Sequence, residues 1–291
     1  MNLGYACINL SMGKKVGTNR TMIKKTYQAK GLDYVSELAL ANAKDIIKIL
    51  EWNRLNGIKF FRLSSAIIPW GDDFNDFTLL KDYKEIKFEL KKAGDYAKFW
   101  GMRITCHPGP YVVLTSPHEH VVANAINNLE MHGKIFDMMG LSKTPYNKIN
   151  IHCNGVYGDK KSAMDRFIKN YKRLSKSVQN RLTIENDDKA SMYSVKDLMY
   201  IHEKIGIPIV FDYHHHKFCT GGLSEQEALE LASTTWPKDI VPVVHYSESK
   251  EGNKPQAHSD YIKVIPNTYN LLVDIMVEAK AKELAILPYL K

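Results

Sequence analysis

An imidazole or carboxylate side chain follows each of six apolar segments that are spread along this 291-residue sequence. These side chains belong to His107, His152, Glu185, Asp212, His245 and Glu278. Imidazole nitrogens mixed with carboxylate oxygens suit zinc or manganese, and a carboxylate can bridge two cations that lie close together. The pattern therefore predicts a site that holds several divalent metal ions.

Each of these residues also has an ordinary structural explanation when it is taken alone. A single histidine such as His107 is usually a hydrogen-bonded structural residue, and a carboxylate such as Glu185 can cap a helix. Asp212 and His215 stand three residues apart, a spacing that a polar turn would equally explain. The structural explanation nevertheless requires six independent coincidences at equivalent places, so the set as a whole favours the metal interpretation.

Eight short and mostly aliphatic segments are predicted to be β-strands that are buried on both faces. They cover residues 3–8, 58–63, 103–106, 148–151, 182–184, 208–211, 240–244 and 272–277. Longer amphipathic segments alternate with them, which favours an α/β fold, a single (β/α)8 TIM barrel that occupies residues 1–291. All strands of such a barrel end on one face, so ligands that are distant in the sequence would converge there.

Six segments with apolar residues at steps of three or four are predicted to be helices. They cover residues 38–56, 82–100, 119–139, 163–178, 194–205 and 224–234. The basic segment 14–30 is predicted to be an irregular loop, and residues 247–269 show no clear helix before Tyr261. A doubly wound fold would carry a glycine-rich phosphate turn, and the sequence contains no GxGxxG motif.

The charge balance indicates a polyanionic partner. Forty Lys and Arg residues against 32 Asp and Glu residues give a formal net charge of +8 and a pI near 9.0. Such an excess favours nucleic acid as the partner, although a lysine-rich surface without a nucleic-acid partner would give the same balance. The hydrophobic content of 44% is ordinary for a globular protein.

The four cysteines form no CxxC pair, which is typical of a reducing compartment. The N-terminus does not resemble a signal peptide, and no apolar run approaches the length that a membrane span requires. We therefore expect a cytoplasmic protein that has no membrane segment and no obligate protein partner.

Seven motifs along nearly the whole chain resemble those of the UV damage endonucleases, barrel nucleases related in architecture to endonuclease IV-type abasic-site enzymes. The motifs are LGYACINL (3–10), TNRT (18–21), FRLSSAIIPW (61–70), HPG (107–109), END (185–187), AH (257–258) and MVEAK (276–280). The resemblance implies a metal-dependent DNA repair enzyme that cuts damaged double-stranded DNA. The expected cut lies immediately 5′ of cyclobutane pyrimidine dimers and 6-4 products, and abasic sites are a further expected substrate.

The resemblance also implies a set of metal ligands and two catalytic residues. The expected ligands are His107, His152, Glu185, Asp212, His215, His245, His258 and Glu278. We expect up to three ions, manganese first, while the ligand types leave zinc and magnesium open. Glu185 is the predicted catalytic ligand, and Lys280 is predicted to meet a phosphate of the DNA.

The ligands are expected to form three groups. His107 and His152 would bind the first ion, and Glu185 would bridge it to the second. The remaining ligands are Asp212, His245 and Glu278 for the second ion, and His215 and His258 for the third.

The resemblance places lesion contacts near the predicted strand ends, at Tyr5, Asn9, Pro110 and Tyr111. The tyrosine rings could fill the gap that extruded bases leave in the duplex. Basic residues of segment 14–30, including Arg20, would contact the DNA backbone and make the affinity depend on salt.

Three positions depart from the motifs of some family members. Pro110 replaces a glutamine whose amide could bond an extruded base, and Ala66 replaces a histidine ligand of the first metal. Val243 replaces a lysine that can be carboxylated. These departures concern the lesion range and the metal occupancy.

Two other functions share part of the pattern. A metal-dependent sugar isomerase or epimerase uses the same barrel and the same ligand types, but it would favour a smaller, more acidic pocket without excess positive charge. A DNA-binding module without catalysis would explain the charge and would leave the ligand set without a purpose. A nuclease accounts for both observations.

Overall fold

Eight parallel strands close into one barrel in the computed structural model, which describes residues 1–290. The strands are β1 (Leu3–Ala6), β2 (Phe60–Leu63), β3 (Arg103–Cys106), β4 (Ile149–His152), β5 (Leu182–Glu185), β6 (Ile209–Asp212), β7 (Val243–Tyr246) and β8 (Asp274–Val277). They lie in sequence order, and β1 pairs with β8, for example Leu3 with Ile275, to complete the ring. The (β/α)8 barrel that the sequence predicts is confirmed.

The helices surround this ring of strands. They are α1 (Lys24–Leu55), α2 (Gly71–Phe74), α3 (Tyr83–Phe99), α4 (Glu119–Met139), α5 (Lys160–Tyr171), α6 (Lys176–Gln179), α7 (Val195–Ile205), α8 (Tyr213–His216) and α9 (Glu225–Thr234). Gly140 and Gly206 end α4 and α7 in the left-handed conformation that glycine adopts without strain. Short 3-10 turns at Phe77–Leu79, Pro145–Asn147, Lys282–Ala285 and Leu287–Tyr289 complete the regular structure.

Two helix predictions were wrong in extent. The predicted loop 14–30 is helical from Lys24 onward, because α1 continues to Leu55 through one kinked residue, Gly31, with φ of 60°. The predicted helix 163–178 is two helices, since Ser175 begins α6 by accepting a hydrogen bond from the backbone of Val178. Residues 247–269 contain no helix, as predicted, and hold only an isolated bridge between Ser249 and His258.

A buried ion pair joins β3 and β8 at the entry end of the barrel, the end at which the strands begin. The Arg103 guanidinium of β3 lies 3.0 Å from the Asp274 carboxylate of β8 and donates to the carbonyls of Tyr146 and Val241. The Asp274 carboxylate also accepts the backbone N–H of Asn2 at 2.8 Å. Both charged groups are therefore hydrogen-bonded, which is the condition for burying them without a large penalty.

No helix among residues 1–290 is long and apolar enough to cross a membrane.

We expect Asp274→Ala to lower the free energy of unfolding by about 3–5 kcal/mol, because it leaves the Arg103 charge buried without a partner. The measurement is urea denaturation followed by circular dichroism. The control is Lys91→Ala on α3, which breaks an exposed pair with Asp95 and should leave the midpoint nearly unchanged. Equal losses in the two variants would contradict this account of the barrel end.

Candidate metal centre

The predicted ligands converge where the strands end. Glu185 and Asp212 are the last residues of β5 and β6, and His152 is the last residue of β4. The strand register sets His152 beside Glu185 and Asp212 beside His245. Barrel closure thus brings residues together that are more than a hundred positions apart in the sequence.

The Glu185 carboxylate lies at the centre of this group and is fully buried. Its Oε2 atom is 3.2 Å from His107 Nε2 and 3.0 Å from His245 Nδ1, and its Oε1 atom is 3.4 Å from His215 Nδ1. The amide of Asn150, two residues before the end of β4, donates to Oε2 and fixes the position of the carboxylate. One carboxylate is therefore within reach of several ligand nitrogens, as a bridging ligand has to be.

Two sets of donor atoms are compact enough to hold a cation. The atoms offered by His107, His152 and Glu185 lie within 4.8 Å of one another, and so do those of Glu185, Asp212 and His245. We call these five residues the Glu185 cluster. The two sets share Glu185 and correspond to the first and second groups expected from the sequence.

The other three predicted ligands lie around the cluster. Glu278 Oε1 is 3.2 Å from His245 Nδ1, which places it beside the second set. His215 and His258 have ring centroids 6.3 Å apart, and His258 Nδ1 is 3.8 Å from Glu278 Oε2. Among residues 1–290, these side chains do not form a third compact set.

Backbone carbonyls fix the orientation of three histidines. The Nδ1 atoms of His107, His215 and His258 lie 2.9–3.0 Å from the carbonyl oxygens of Pro108, Asn186 and Glu278, respectively. A carbonyl only accepts, so each Nδ1 carries a proton, and in the neutral form of each ring Nε2 keeps its lone pair. His152 uses a side chain instead, because its Nδ1 lies 3.2 Å from the Asp187 carboxylate. These four rings are oriented as metal-binding histidines usually are.

The Asn186 amide positions Asp212. Its Oδ1 accepts the backbone N–H of Asp212 at 2.8 Å, and its Nδ2 donates to the Asp212 carbonyl at 3.0 Å. The Asp212 carboxylate in turn accepts the backbone N–H of His215, which begins the short helix α8. The END motif therefore supplies a central carboxylate, a clamp for the neighbouring strand and a partner for His152.

Unpartnered buried oxygens test whether a cation fits. Glu185 Oε1 and Asp212 Oδ2 are both buried and have no hydrogen-bond partner among residues 1–290. A buried carboxylate oxygen without a donor is strongly unfavourable. A divalent cation would satisfy both atoms, and the mixture of nitrogen and oxygen donors suits such an ion. The residues therefore fit the metal ions that the sequence predicts.

Burial dominates the ionisation of the cluster. It raises the pKa of Asp212 to about 7 and lowers the pKa of His245 to about 4. Burial would also raise the pKa of Glu185, but His245 and His152 oppose it and hold that pKa well below its ordinary value. The cluster thus keeps at least one ionised carboxylate and one neutral imidazole near neutral pH.

Two cations that the sequence analysis did not assign lie against the cluster. The Arg62 guanidinium on β2 pairs with the Glu278 carboxylate, and Lys148 Nζ, fully buried, lies 3.1 Å from His245 Nε2. Burial lowers the pKa of Lys148 to about 7. The sequence does contain a pattern that points to these two residues, because Arg62 interrupts an apolar strand and Lys148 directly precedes another.

The predicted DNA contacts fall into two sets. Tyr111 is 63% exposed and Pro110 is exposed, so the structure places this pair at the surface. Tyr5 and Asn9 are buried, which does not support direct contact with DNA. The Tyr5 hydroxyl donates to Asn53 Oδ1 at 2.7 Å and accepts from Asn9 Nδ2 at 2.9 Å. Tyr5 and Asn9 are therefore part of a buried hydrogen-bond network.

The two predicted basic contacts differ in the same way. Arg20 faces inward, where its guanidinium lies 2.6 Å from Asp45 and bonds the carbonyls of Gly17 and Lys15. Lys280 is exposed, and its side chain forms no ion pair with residues 1–290. Lys280 is therefore free to meet a phosphate, whereas Arg20 already has a partner.

Two positions that depart from the motifs of some family members carry apolar side chains. Val243 is buried at the start of β7, and Ala66 follows the end of β2. The carbonyl of Ala66 accepts a hydrogen bond from the Asn42 amide at 2.9 Å. Neither side chain offers a ligand atom, so the donors are those of the Glu185 cluster and its neighbours.

Comparison with known proteins identifies the family of this chain. A family model described as UV-endonuclease UvdE matches residues 1–291. The chain belongs to the UV-endonuclease UvdE family. It is 39% identical to the UV-damage endonuclease of Schizosaccharomyces pombe over 98% of this chain. The chain spans about half (49%) of the length of that relative.

Solved structures extend the comparison to the fold. The crystal structure of SacUVDE has a TM-score of 0.88 and 36% sequence identity, and the match covers 99% of this chain and 96% of that one. D-Psicose 3-epimerase from Clostridium cellulolyticum H10 has a TM-score of 0.54 and 11% identity, with coverage of 96% and 85%. The epimerase shares only the fold with this UvdE family member, so the alternative sugar-isomerase hypothesis gains no support beyond the barrel.

We expect Asp212→Asn to have opposite effects with and without metal. The raised pKa means that the metal-free protein loses stability as pH rises from about 4 through about 7, because a buried carboxylate must then ionise. The asparagine variant avoids this cost and still accepts the His215 N–H. Its Tm at about pH 8 in EDTA should therefore exceed that of the unaltered protein by several degrees.

Addition of Mn²⁺ should reverse that order in thermal melts, because the unaltered protein gains stability by binding the ion and the variant gains little. Asp239→Asn, at an exposed loop position, is the matched control and should behave like the unaltered protein. An Asp212→Asn protein that Mn²⁺ stabilises as fully as the unaltered protein would rule out Asp212 as a ligand.

Proposed function

We propose that this protein nicks double-stranded DNA immediately 5′ of cyclobutane pyrimidine dimers and 6-4 products, by metal-assisted hydrolysis of a phosphodiester. The observation that carries the proposal is the Glu185 cluster, with its two compact donor sets and unpartnered carboxylate oxygens. Membership of the UvdE family selects DNA damage as the substrate class. Abasic sites are proposed as a second substrate.

Divalent ions, manganese first, are proposed to bind at the two donor sets. His107 and His152 would hold one ion and Asp212 and His245 the other, with Glu185 between them. When bound, such ions lower the pKa of a water molecule and neutralise charge on the attacked phosphate and the leaving oxygen. Glu278 is proposed to complete the second site, and His215 with His258 to bind a third ion.

The chain's own cations would position the ligands and complement charge. Arg62 holds the Glu278 carboxylate from the β2 side, so this ligand is oriented before any substrate arrives. Lys148 Nζ contacts Nε2 of His245, the ring nitrogen that faces away from Glu185. Lys280, exposed two residues after Glu278, is proposed to bind a phosphate of the DNA backbone.

The exposed Pro110–Tyr111 pair is proposed to enter the DNA at the lesion. These residues follow the HPG motif, whose His107 belongs to the Glu185 cluster, so the pair and the ligand set are connected by two residues. An exposed ring can fill the space left by extruded bases at little conformational cost. The net charge of +8 would supply the salt-dependent part of the affinity.

The first test is a nicking assay on UV-irradiated supercoiled plasmid. We expect Mn²⁺-dependent conversion to the open-circular form, EDTA to stop it, and unirradiated plasmid to remain intact. Glu185→Gln should lower the rate at least about a thousandfold, since it removes the charge shared by both donor sets. Retention of the circular dichroism spectrum would show that the variant folds.

Glu203→Gln, at an exposed position on α7, is the matched control and should retain the unaltered rate. A Glu185→Gln protein that nicks at that rate would refute the central role of Glu185. Sequencing-gel analysis of a duplex with one dimer at a known position would locate the cut. A cut other than immediately 5′ of the dimer would refute the proposed position.

We expect Tyr111→Ala to weaken binding to a dimer-containing duplex about tenfold or more, because base–aromatic stacking contributes about 1–3 kcal/mol. Binding to the undamaged duplex should change little. Fluorescence anisotropy with labelled duplexes measures both affinities. Phe88→Ala on α3 is the matched exposed aromatic control. Equal losses for damaged and undamaged DNA would show that Tyr111 does not distinguish the lesion.

A further inference from the structure

A cavity of about 380 Å³ lies beside the exposed Tyr111 ring. Its walls come from the segment before α1, the segment between β2 and α2, the Tyr111 ring and helix α4. The Ser65 side chain lines it and donates a hydrogen bond to the His107 carbonyl at 3.0 Å. The cavity is therefore one hydrogen bond away from a proposed metal ligand, and the proposed chemistry does not use it.

Aromatic surfaces shape the cavity for a flat ligand. The Trp70 indole is fixed by its hydrogen bond to the Met22 carbonyl at 3.0 Å and by Tyr27, which stacks on it at 4.9 Å and 8°. The exposed Tyr111 ring forms another part of the wall, and Met131 of α4 adds apolar surface. Rigid aromatic walls of this kind suit a planar heterocycle, which can stack without ordering further side chains.

Two polar side chains of the cavity, Asn128 and Asp72, present hydrogen-bond acceptors to it. Asn128 is buried, and its Nδ2 must face Asp72, because a carboxylate oxygen cannot donate; the two atoms lie 2.7 Å apart. This orientation leaves Asn128 Oδ1 buried without a partner among residues 1–290. The second Asp72 oxygen also accepts no hydrogen bond within that range. The cavity thus presents an amide oxygen and a carboxylate to whatever occupies it.

Two neighbouring acceptors require a ligand with neighbouring N–H donors. Among DNA bases, guanine carries such a pair on its Watson–Crick edge, N1–H and the 2-amino group. Adenine and cytosine place an acceptor beside their amino group, and thymine places two carbonyls around one N–H. An acceptor that faces Asn128 would leave its buried Oδ1 unpaired, and one that faces Asp72 would meet a carboxylate oxygen that cannot donate.

We propose that this cavity binds one unpaired guanine base of the DNA substrate. The base would stack against Trp70 and donate to Asn128 Oδ1 and the Asp72 carboxylate. This proposal rests on the proposed function, since DNA supplies the base. It adds a sequence preference near the lesion that the metal centre by itself would not produce.

The test is a titration with 2′-deoxyguanosine monophosphate, followed by tryptophan fluorescence of the metal-loaded protein. 2′-Deoxyinosine monophosphate carries the same phosphate and lacks only the 2-amino group. We expect the guanine nucleotide to bind about tenfold tighter or more, as the loss of one hydrogen bond to a charged acceptor predicts. Equal affinities for the two nucleotides would overturn the proposal.

Asp72→Asn should remove this preference, because one acceptor becomes a donor while Asn128 keeps its partner. Asp33→Asn, at an exposed position on α1, is the matched control and should retain the preference. Ala66→Leu, which places a larger side chain in the cavity, gives an independent test should the first variant not fold. A guanine preference that survives in either folded variant, Asp72→Asn or Ala66→Leu, would overturn the proposal.

Nucleotide binding and nicking can fail separately. A protein that nicks irradiated plasmid without preferring the guanine nucleotide retains the proposed function and loses the guanine pocket. A protein that prefers the guanine nucleotide without nicking retains the pocket and loses the proposed function.

Discussion

Glu185 places a carboxylate where water does not reach, and its buried charge constrains everything around it. An isolated ion in such a position would be protonated or would destabilise the fold. Here His107, His245 and His152 approach it, and Asn150 donates to it from the strand beside it. The barrel must close accurately, because Glu185 and these groups lie on or directly follow four different strands.

The two ends of the barrel treat buried charge in opposite ways. At the entry end, Arg103 and Asp274 satisfy each other and the surrounding carbonyls. At the exit end, where the strands finish, Glu185 and Asp212 each retain an oxygen without a protein donor. The first arrangement is satisfied without further ligands, whereas a cation bound at the second would add stability. The satisfied ion pair and the unsatisfied carboxylates thus lie at opposite ends of the barrel.

The sequence predicts the strands well, and it predicts that the central His, Glu and Asp side chains converge, because both follow from one rule. Continuous aliphatic runs identify buried parallel strands, and the polar residue that ends each run must lie on the common face. Tyr5 shows where this reasoning stops: a tyrosine near a strand end can pack its ring inside and satisfy its hydroxyl there, and only the positions of Asn9 and Asn53 decide between the two outcomes.

Lys148 shows a second limit of sequence reasoning. Its position before a strand is evident in the sequence, but its direction into the barrel depends on the register of β4 with its neighbours. Helix α1 shows a third, because it begins at Lys24, inside a segment whose polar and basic composition predicted a loop. The direction of a side chain and the extent of a helix therefore depend on more than the local sequence.

The contacts that orient the histidines differ in how mutation can affect them. Three rings bond to backbone carbonyls, which every amino acid provides, so substitution of Asn186 or Glu278 leaves those acceptors in place. His152 relies on the carboxylate of Asp187, which a single codon change can remove. Evolution can therefore adjust the affinity of the metal centre at this ligand while the other orientations remain constant.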